Sequence, residues 1–201
     1  MPLRDQDAWT ETVPVLGASP KGWNRVPLAA LAAWLVFFGL FLYQAARGSG
    51  FLLLMDTVLV PIHEGGHLLF QYFGTTIGVA GGTFLQLFVP FALAAYFAYY
   101  REPQGVAFCS FFFFEQFLPV ATYMADARAM QLPLLTVGDS GYVIHDWHYL
   151  FSKLGVLQYD TVIAGWVRFA GWIGMIWVVL WLVWRGLTSP KPASGQKQAI
   201  A

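Results

Sequence analysis

Of the 201 residues, 58% are hydrophobic and only 11% are charged, where a soluble domain carries about 25%. Eleven basic residues balance eleven acidic ones, so no charge excess points to nucleic acid, and the single cysteine, Cys109, excludes an internal disulfide. Aromatic residues reach 18%, as expected where rings line lipid interfaces, and the expectation is an all-α, polytopic membrane bundle forming one domain.

Residues 1–26 read as a polar N-terminal segment bearing Arg4, Asp5, Asp7 and Glu11, with no cleavable signal. The first apolar run, 27–46, is long enough to span and serves as an uncleaved anchor, with Pro27 suited to a first helical turn. Further spans are expected at 51–73, 78–100, 104–127 and 162–184, about five in all, each near the roughly 20 apolar residues a crossing needs. Arg168, near one end of the last, can snorkel. Short links among the first four favour antiparallel neighbours.

The long connection, 128–161, contains the turn signal Gly138-Asp139-Ser140-Gly141. Within it Ile144, Trp147, Leu150, Phe151 and Leu154 share one helical face, which predicts a short amphipathic helix over 144–154 lying in the interface. The bundle then covers 27–188, and 189–201, rich in Pro, Ser, Gly, Lys and Gln, reads as a disordered tail. Five spans put the flanks on opposite sides. Arg4, Lys21, Arg25, Arg128 and Lys153 then oppose Arg47, Arg101, Arg185, Lys191 and Lys197, an even split that gives no orientation.

The second span carries His63-Glu64-Gly65-Gly66-His67. Imidazoles at i and i+4 lie on one face and reach one ion, and the glutamate between them can act on a water that the ion activates. The plain alternative is a pair of hydrogen-bonded core histidines beside a buried glutamate. Three ionisable groups in one turn of an apolar helix argue against it, because such groups are costly in a membrane and mark function. Gly65 and Gly66 remove side chains, so another helix or a substrate can approach closely. Pro61 is expected to bend the helix just before the ligands.

A catalytic zinc takes three protein ligands and leaves one position open, so a third must come from elsewhere. The fourth span offers Glu115, Thr122 and Asp126 on one face. At 1.5 Å per residue the histidine pair lies roughly 21 Å into its helix, Glu115 roughly 16 Å and Asp126 roughly 33 Å. Depth favours Glu115, although Pro119 can break the helix and bring Asp126 nearer. His145-Asp146-Trp147-His148 holds the other two of the four histidines. Left in the interface, these are wet side chains beside a Trp147 anchor. Folded over the cavity mouth, the same helix adds His145 or Asp146 to the metal shell, or hydrogen-bonds a ligand. His145 and His148 beside Asp146 are also candidates for a second metal. Gln86, deep in the third span, can bond a substrate backbone or another helix.

The run Pro61-Ile62-His63-Glu64-Gly65-Gly66-His67-Leu68-Leu69 resembles the metal-binding helix of the site-2 protease family of intramembrane zinc metalloproteases. In that family a third core helix, two spans later, supplies an Asp ligand. The resemblance assigns that role to Asp126 in Tyr123-Met124-Ala125-Asp126-Ala127-Arg128. Gly81-Gly82-Thr83 with Gln86 and Pro90 is similar to small bacterial members of the group, which implies a bacterial inner membrane. One departure is that Ala127 follows Asp126 where the family has a glycine. The likeness implies one zinc ion held by His63 and His67, with Asp126 and His145 as candidate further ligands. Glu64 is the implied base, Gly82 and Gln86 are candidate substrate contacts, and the substrate is a membrane protein or peptide. In this picture Gly81, Gly82 and the loop before them receive an unwound substrate as an added strand.

Two other readings stay open. Glu115, Asp126 and the four histidines suffice for a di-iron or haem site in a bundle. A non-catalytic membrane subunit could keep a metal as a structural staple.

Overall fold

The structure, a computed structural model, describes residues 22–48, 52–132 and 144–188, the side chains of 52–58 excepted. The expected tail, nearly all of the expected polar N-terminal segment and the turn signal at 138–141 lie outside the described residues. Helix α1 (Leu28–Arg47) follows Pro27 and stops at Gly48, whose φ of 62° lets its N–H reach the carbonyls of Gln44 and Ala45. Helix α2 (Leu52–Phe70) ends in a 3₁₀ turn, Gln71–Phe73, and Gly74 (φ 98°) starts the chain into α3 (Thr75–Tyr99).

The expected fourth span is broken in two. Helices α4 (Pro103–Glu115) and α5 (Phe117–Ala125) meet at Gln116. Pro119 has no N–H to give the Glu115 carbonyl one turn back, so the regular ladder fails there. Helices α6 (Asp146–Leu154) and α7 (Asp160–Thr188) complete an all-helical fold with no strand among the described residues. Four described stretches are long and apolar enough to cross a membrane: Leu28–Arg47, Thr75–Tyr99, Pro103–Ala125 and Leu157–Thr188. The expected span at 51–73 corresponds to α2.

Helices α2 and α3 form an antiparallel pair in backbone contact. A Cβ on Gly66 would lie 2.2 Å from the Gly81 oxygen, and a Cβ on Gly81 would lie 2.7 Å from the Gly66 oxygen. Only small residues permit such an approach. Helix α3 runs antiparallel to α4, with Phe91 on Phe113 at 5.9 Å and Phe97 against Gly105. Helix α7 runs antiparallel to α4 and α5, from the Arg168–Thr122 hydrogen bond (2.9 Å) to Gly174 against Phe114.

Helix α1 departs from the antiparallel expectation. It runs parallel to α4, with Trp34 bonded to Gln104 (2.9 Å), Phe38 on Phe111 (4.5 Å) and Phe41 on Phe112 (5.2 Å). These rings join Met175 and Leu182 in the larger core. The guanidiniums of Arg101 and Arg185 consequently lie over the Trp23 ring at 5.5 and 5.3 Å. The start of α1, the α3–α4 turn and the end of α7 thus share one end of the bundle. The expected separation of Arg25 from Arg101 and Arg185 does not hold, because α1 packs on α4 and α7. Leu40, Phe91, Trp177, Leu180 and Trp184 point outward and exposed, a surface suited to lipid contact.

Helix α6 turns back onto the bundle. Phe151 is buried and Trp147 packs with it against Val120, Ala121, Met124 and Ala164 of α5 and α7. Ile144 and Leu154, from the same expected apolar face, stay exposed.

Candidate metal centre

Helix α2 sets His63 and His67 one turn apart, their ring centres separated by 4.7 Å. Asp146, the first residue of α6, brings Oδ2 to 3.0 Å from His63 Nε2 and 3.3 Å from His67 Nε2. One ligand atom from each lies within 4.8 Å of the other two, and among the described residues no second group of this kind forms.

The start of α6 is fixed at several points. His145 Nδ1 accepts the His148 N–H (3.2 Å), a cap that holds the first turn. The Tyr123 hydroxyl accepts the Asp146 N–H (3.1 Å), His148 Nδ1 donates to the Ala127 carbonyl (2.8 Å), and Thr76 bonds Tyr149 (3.2 Å) and Lys153. On the other side α3 closes over the rings. A Cβ on Gly82 would lie 2.5 Å from His67 Nε2 and 2.7 Å from His63 Nε2.

Hydrogen-bond roles follow from groups that can only accept. His67 Nδ1 faces the Gly78 carbonyl at 2.9 Å, so this nitrogen carries the hydrogen. For His63 the order is set at the Glu115 carboxylate, an acceptor when ionised. Gln116 Nε2 donates to it at 2.6 Å, which turns the Gln116 oxygen toward Gln86 Nε2, also at 2.6 Å. The Gln86 oxygen then faces His63 Nδ1 at 2.9 Å, and His63 too carries its hydrogen there.

When neutral, both imidazoles therefore aim bare Nε2 lone pairs at a carboxylate oxygen. Three acceptors at this spacing repel unless a positive species joins them, either a proton on a ring or a metal cation. With a proton on a ring, burial still pushes the Asp146 carboxyl up, but the hydrogen bonds and charge that His63 and His67 then supply outweigh it and hold the group below the usual carboxylate range. Two imidazoles and one carboxylate, each imidazole fixed through its other nitrogen, make a donor set that fits a catalytic zinc.

Glu64 is half-buried and, among the described residues, makes no hydrogen bond. Its carboxylate lies near enough for its charge to bear on His67 and Tyr123. Asp126 and His145 do not join the histidine pair. The Asp126 carboxylate accepts the N–H groups of Gln131 (2.9 Å) and Leu132 (3.0 Å) and lies 3.4 Å from His145 Nε2. Burial raises the Asp126 carboxyl, and these contacts bring it below the usual range. Since α5 ends at Ala125, Asp126 closes the turn that follows, and α6 delivers Asp146 instead. The His145 ring lies on Tyr123 at 4.3 Å.

Gln86 is engaged at both ends by His63 and Gln116 rather than presented to a substrate. Gly81 and Gly82 lie inside α3, so they offer no edge to an added strand; Gly82 instead makes room for the imidazoles. His148 is held by a backbone carbonyl, and no second metal group forms around it among the described residues. The sequence reading does not single out Gln116 or Tyr123. A Glu-Gln pair after a run of four phenylalanines is the signal that marks the first. No family model, curated protein or solved structure matches the chain, so the reading of function rests on the chemistry of this site.

Proposed function

We propose that the protein is a membrane-embedded zinc metallopeptidase, with His63, His67 and Asp146 holding one ion and Glu64 as the base. The observation that carries this reading is the convergence of two bare Nε2 atoms and one carboxylate oxygen, one residue from a carboxylate with no hydrogen-bond partner among the described residues. Zinc bound there would lower the pKa of water toward about 7 and polarise a peptide carbonyl. Glu64 takes the proton of the attacking water and returns it to the leaving amine, so one carboxylate serves as base and then as acid. Gln86 and the Gly78 carbonyl keep both rings in the ligating tautomer. Tyr123, holding the Asp146 N–H, keeps the third ligand in place.

The four apolar stretches support an integral membrane protein, and the likeness to small bacterial intramembrane proteases favours the inner membrane and membrane peptides as substrates. Asp146 replaces the Asp126 that the likeness suggests as third ligand. The same donor set also suits non-haem ferrous iron, and the metal content distinguishes the two.

Glu64→Gln tests the assignment. In proteoliposomes loaded with transmembrane peptides, the variant should keep the metal complement of the wild type. Its cleavage rate should fall by about 10²–10⁴-fold, the range for loss of a general base. Undiminished cleavage would remove Glu64 from the mechanism.

A further inference from the structure

A chain of side chains buried between α3 and α4–α5 runs from the candidate metal centre to the carboxylate of Glu115. It passes from His63 Nδ1 to Gln86 (2.9 Å), Gln116 (2.6 Å) and Glu115 (2.6 Å). Gln86, Gln116 and Glu115 are all buried, at 9%, 0% and 1% exposure. The α4–α5 break lies beside it, and α3 carries a proline there while staying continuous. Pro90 and Pro119 each lie four residues beyond a member of the chain, Gln86 and Glu115, whose backbone carbonyls therefore lose their helical donors. Three buried polar side chains in an apolar interior are expensive, and packing α3 on α4 does not require them.

We propose that Glu115 is a positioning residue that sets the tautomer of His63 from a distance. A glutamine side chain has a donor end and an acceptor end, so a row of two can point either way. Unanchored, the row is as able to present an N–H to His63 as an oxygen. Presented with an N–H, His63 Nδ1 would accept, its hydrogen would move to Nε2, and the lone pair needed for a metal would be lost. A carboxylate accepts only. Placed at the far end, it fixes the direction of Gln116, then of Gln86, then the site of the hydrogen on His63. Its charge also polarises the chain and makes His63 Nε2 a better donor to a cation. The role rests on the metal site proposed above, but the tautomer can be read without any metal.

The test uses full-length protein in detergent, stripped of metal, with the imidazole nitrogens observed by ¹⁵N NMR in an Asp146→Ala background, which removes the competing acceptor 3.0 Å from His63 Nε2, and zinc affinity measured by titration with Asp146 in place. With Glu115 in place, His63 should show one tautomer, hydrogen on Nδ1. Glu115→Gln keeps size and hydrogen bonding but removes the acceptor-only end. It should show a mixture of tautomers and bind zinc about 10–100-fold more weakly, the usual loss for a partner behind a ligand. Gln86→Glu added to Glu115→Gln puts an acceptor-only carboxylate directly on His63 Nδ1 and should restore both the single tautomer and the affinity. A wild-type tautomer in Glu115→Gln, or no rescue in the folded double variant, overturns the proposal. If wild-type protein binds no zinc, the metallopeptidase reading fails while the tautomer still decides the role of Glu115.

Discussion

Asp146→Ala should abolish zinc binding, while Asp126→Ala should leave it intact. The two aspartates lie near opposite ends of the connection between α5 and α6, and the resemblance in sequence points to Asp126. Their surroundings differ in kind. Asp146 is buried with its oxygen 3.0 and 3.3 Å from two ring nitrogens that have no hydrogen to offer when neutral. Removing it takes away one of three ligands, a larger loss than the roughly 10–100-fold seen for groups behind a ligand. Asp146→Asn, of nearly the same size, should lose most of the affinity too, since a neutral amide is a poor substitute for the charge.

Asp126 instead binds two backbone N–H groups and His145, so its loss should appear as a lower melting temperature. Its carboxyl titrates below the ordinary value. The stabilisation is therefore full above about pH 3.9 and fades as pH falls through the folded-state value. Melting temperatures of Asp126→Ala and wild type should converge in acid. Zinc titration of the stripped proteins and thermal melts across pH separate the two roles. Equal zinc affinity in Asp146→Ala and wild type would refute the ligand assignment.

Gly82→Ala should also eliminate zinc binding, although it adds only one methyl group. That methyl would lie 2.5–2.7 Å from atoms of both imidazoles. The helices cannot separate to admit it without losing the backbone contact of Gly66 with Gly81, the residue next to Gly82. The rings therefore have to rotate, and the convergence of their Nε2 atoms is lost. The obstruction meets ring tips rather than backbone, so the variant should still fold. Gly66→Ala, whose Cβ would meet the Gly81 oxygen at 2.2 Å, should lose the α2–α3 pairing itself.

Gly65→Ala is the control. Nothing lies within 4 Å of a Cβ there, and alanine in a helix gains about 1 kcal/mol over glycine, so this variant should bind zinc as wild type does and melt no lower. Zinc titration with circular dichroism on the three variants checks the series. Full affinity in Gly82→Ala would show that the rings are not packed against α3 as described.

The histidine pair was legible because helical periodicity alone puts i and i+4 on one face, and an apolar helix makes two imidazoles and a carboxylate conspicuous. Depth favours Glu115 as the third ligand, yet the group that converges is His63, His67 and Asp146, and Glu115 is linked to His63 through Gln116 and Gln86. The third ligand could not be read the same way. Asp146 reaches the site because α6 folds back through Phe151 and Trp147 onto α5 and α7, a long-range packing event that no local period encodes. The expected interfacial face of α6 contained those two residues, but the same pattern also included Ile144 and Leu154, which remain exposed.

The direction of α1 was equally hidden. Short links suggest antiparallel neighbours, whereas complementary aromatic surfaces, Phe38 and Phe41 against Phe111 and Phe112, pair α1 with α4. Tyr123 and Gln116 gain their meaning only once α6 and α3 are in place.

The most direct measurement is the metal content of purified wild-type protein after zinc reconstitution and desalting, beside His63→Ala/His67→Ala. One zinc per wild-type chain and none in the double variant is the expected result. A wild-type chain that retains no ion, or a double variant that retains as much, would contradict the site at its foundation.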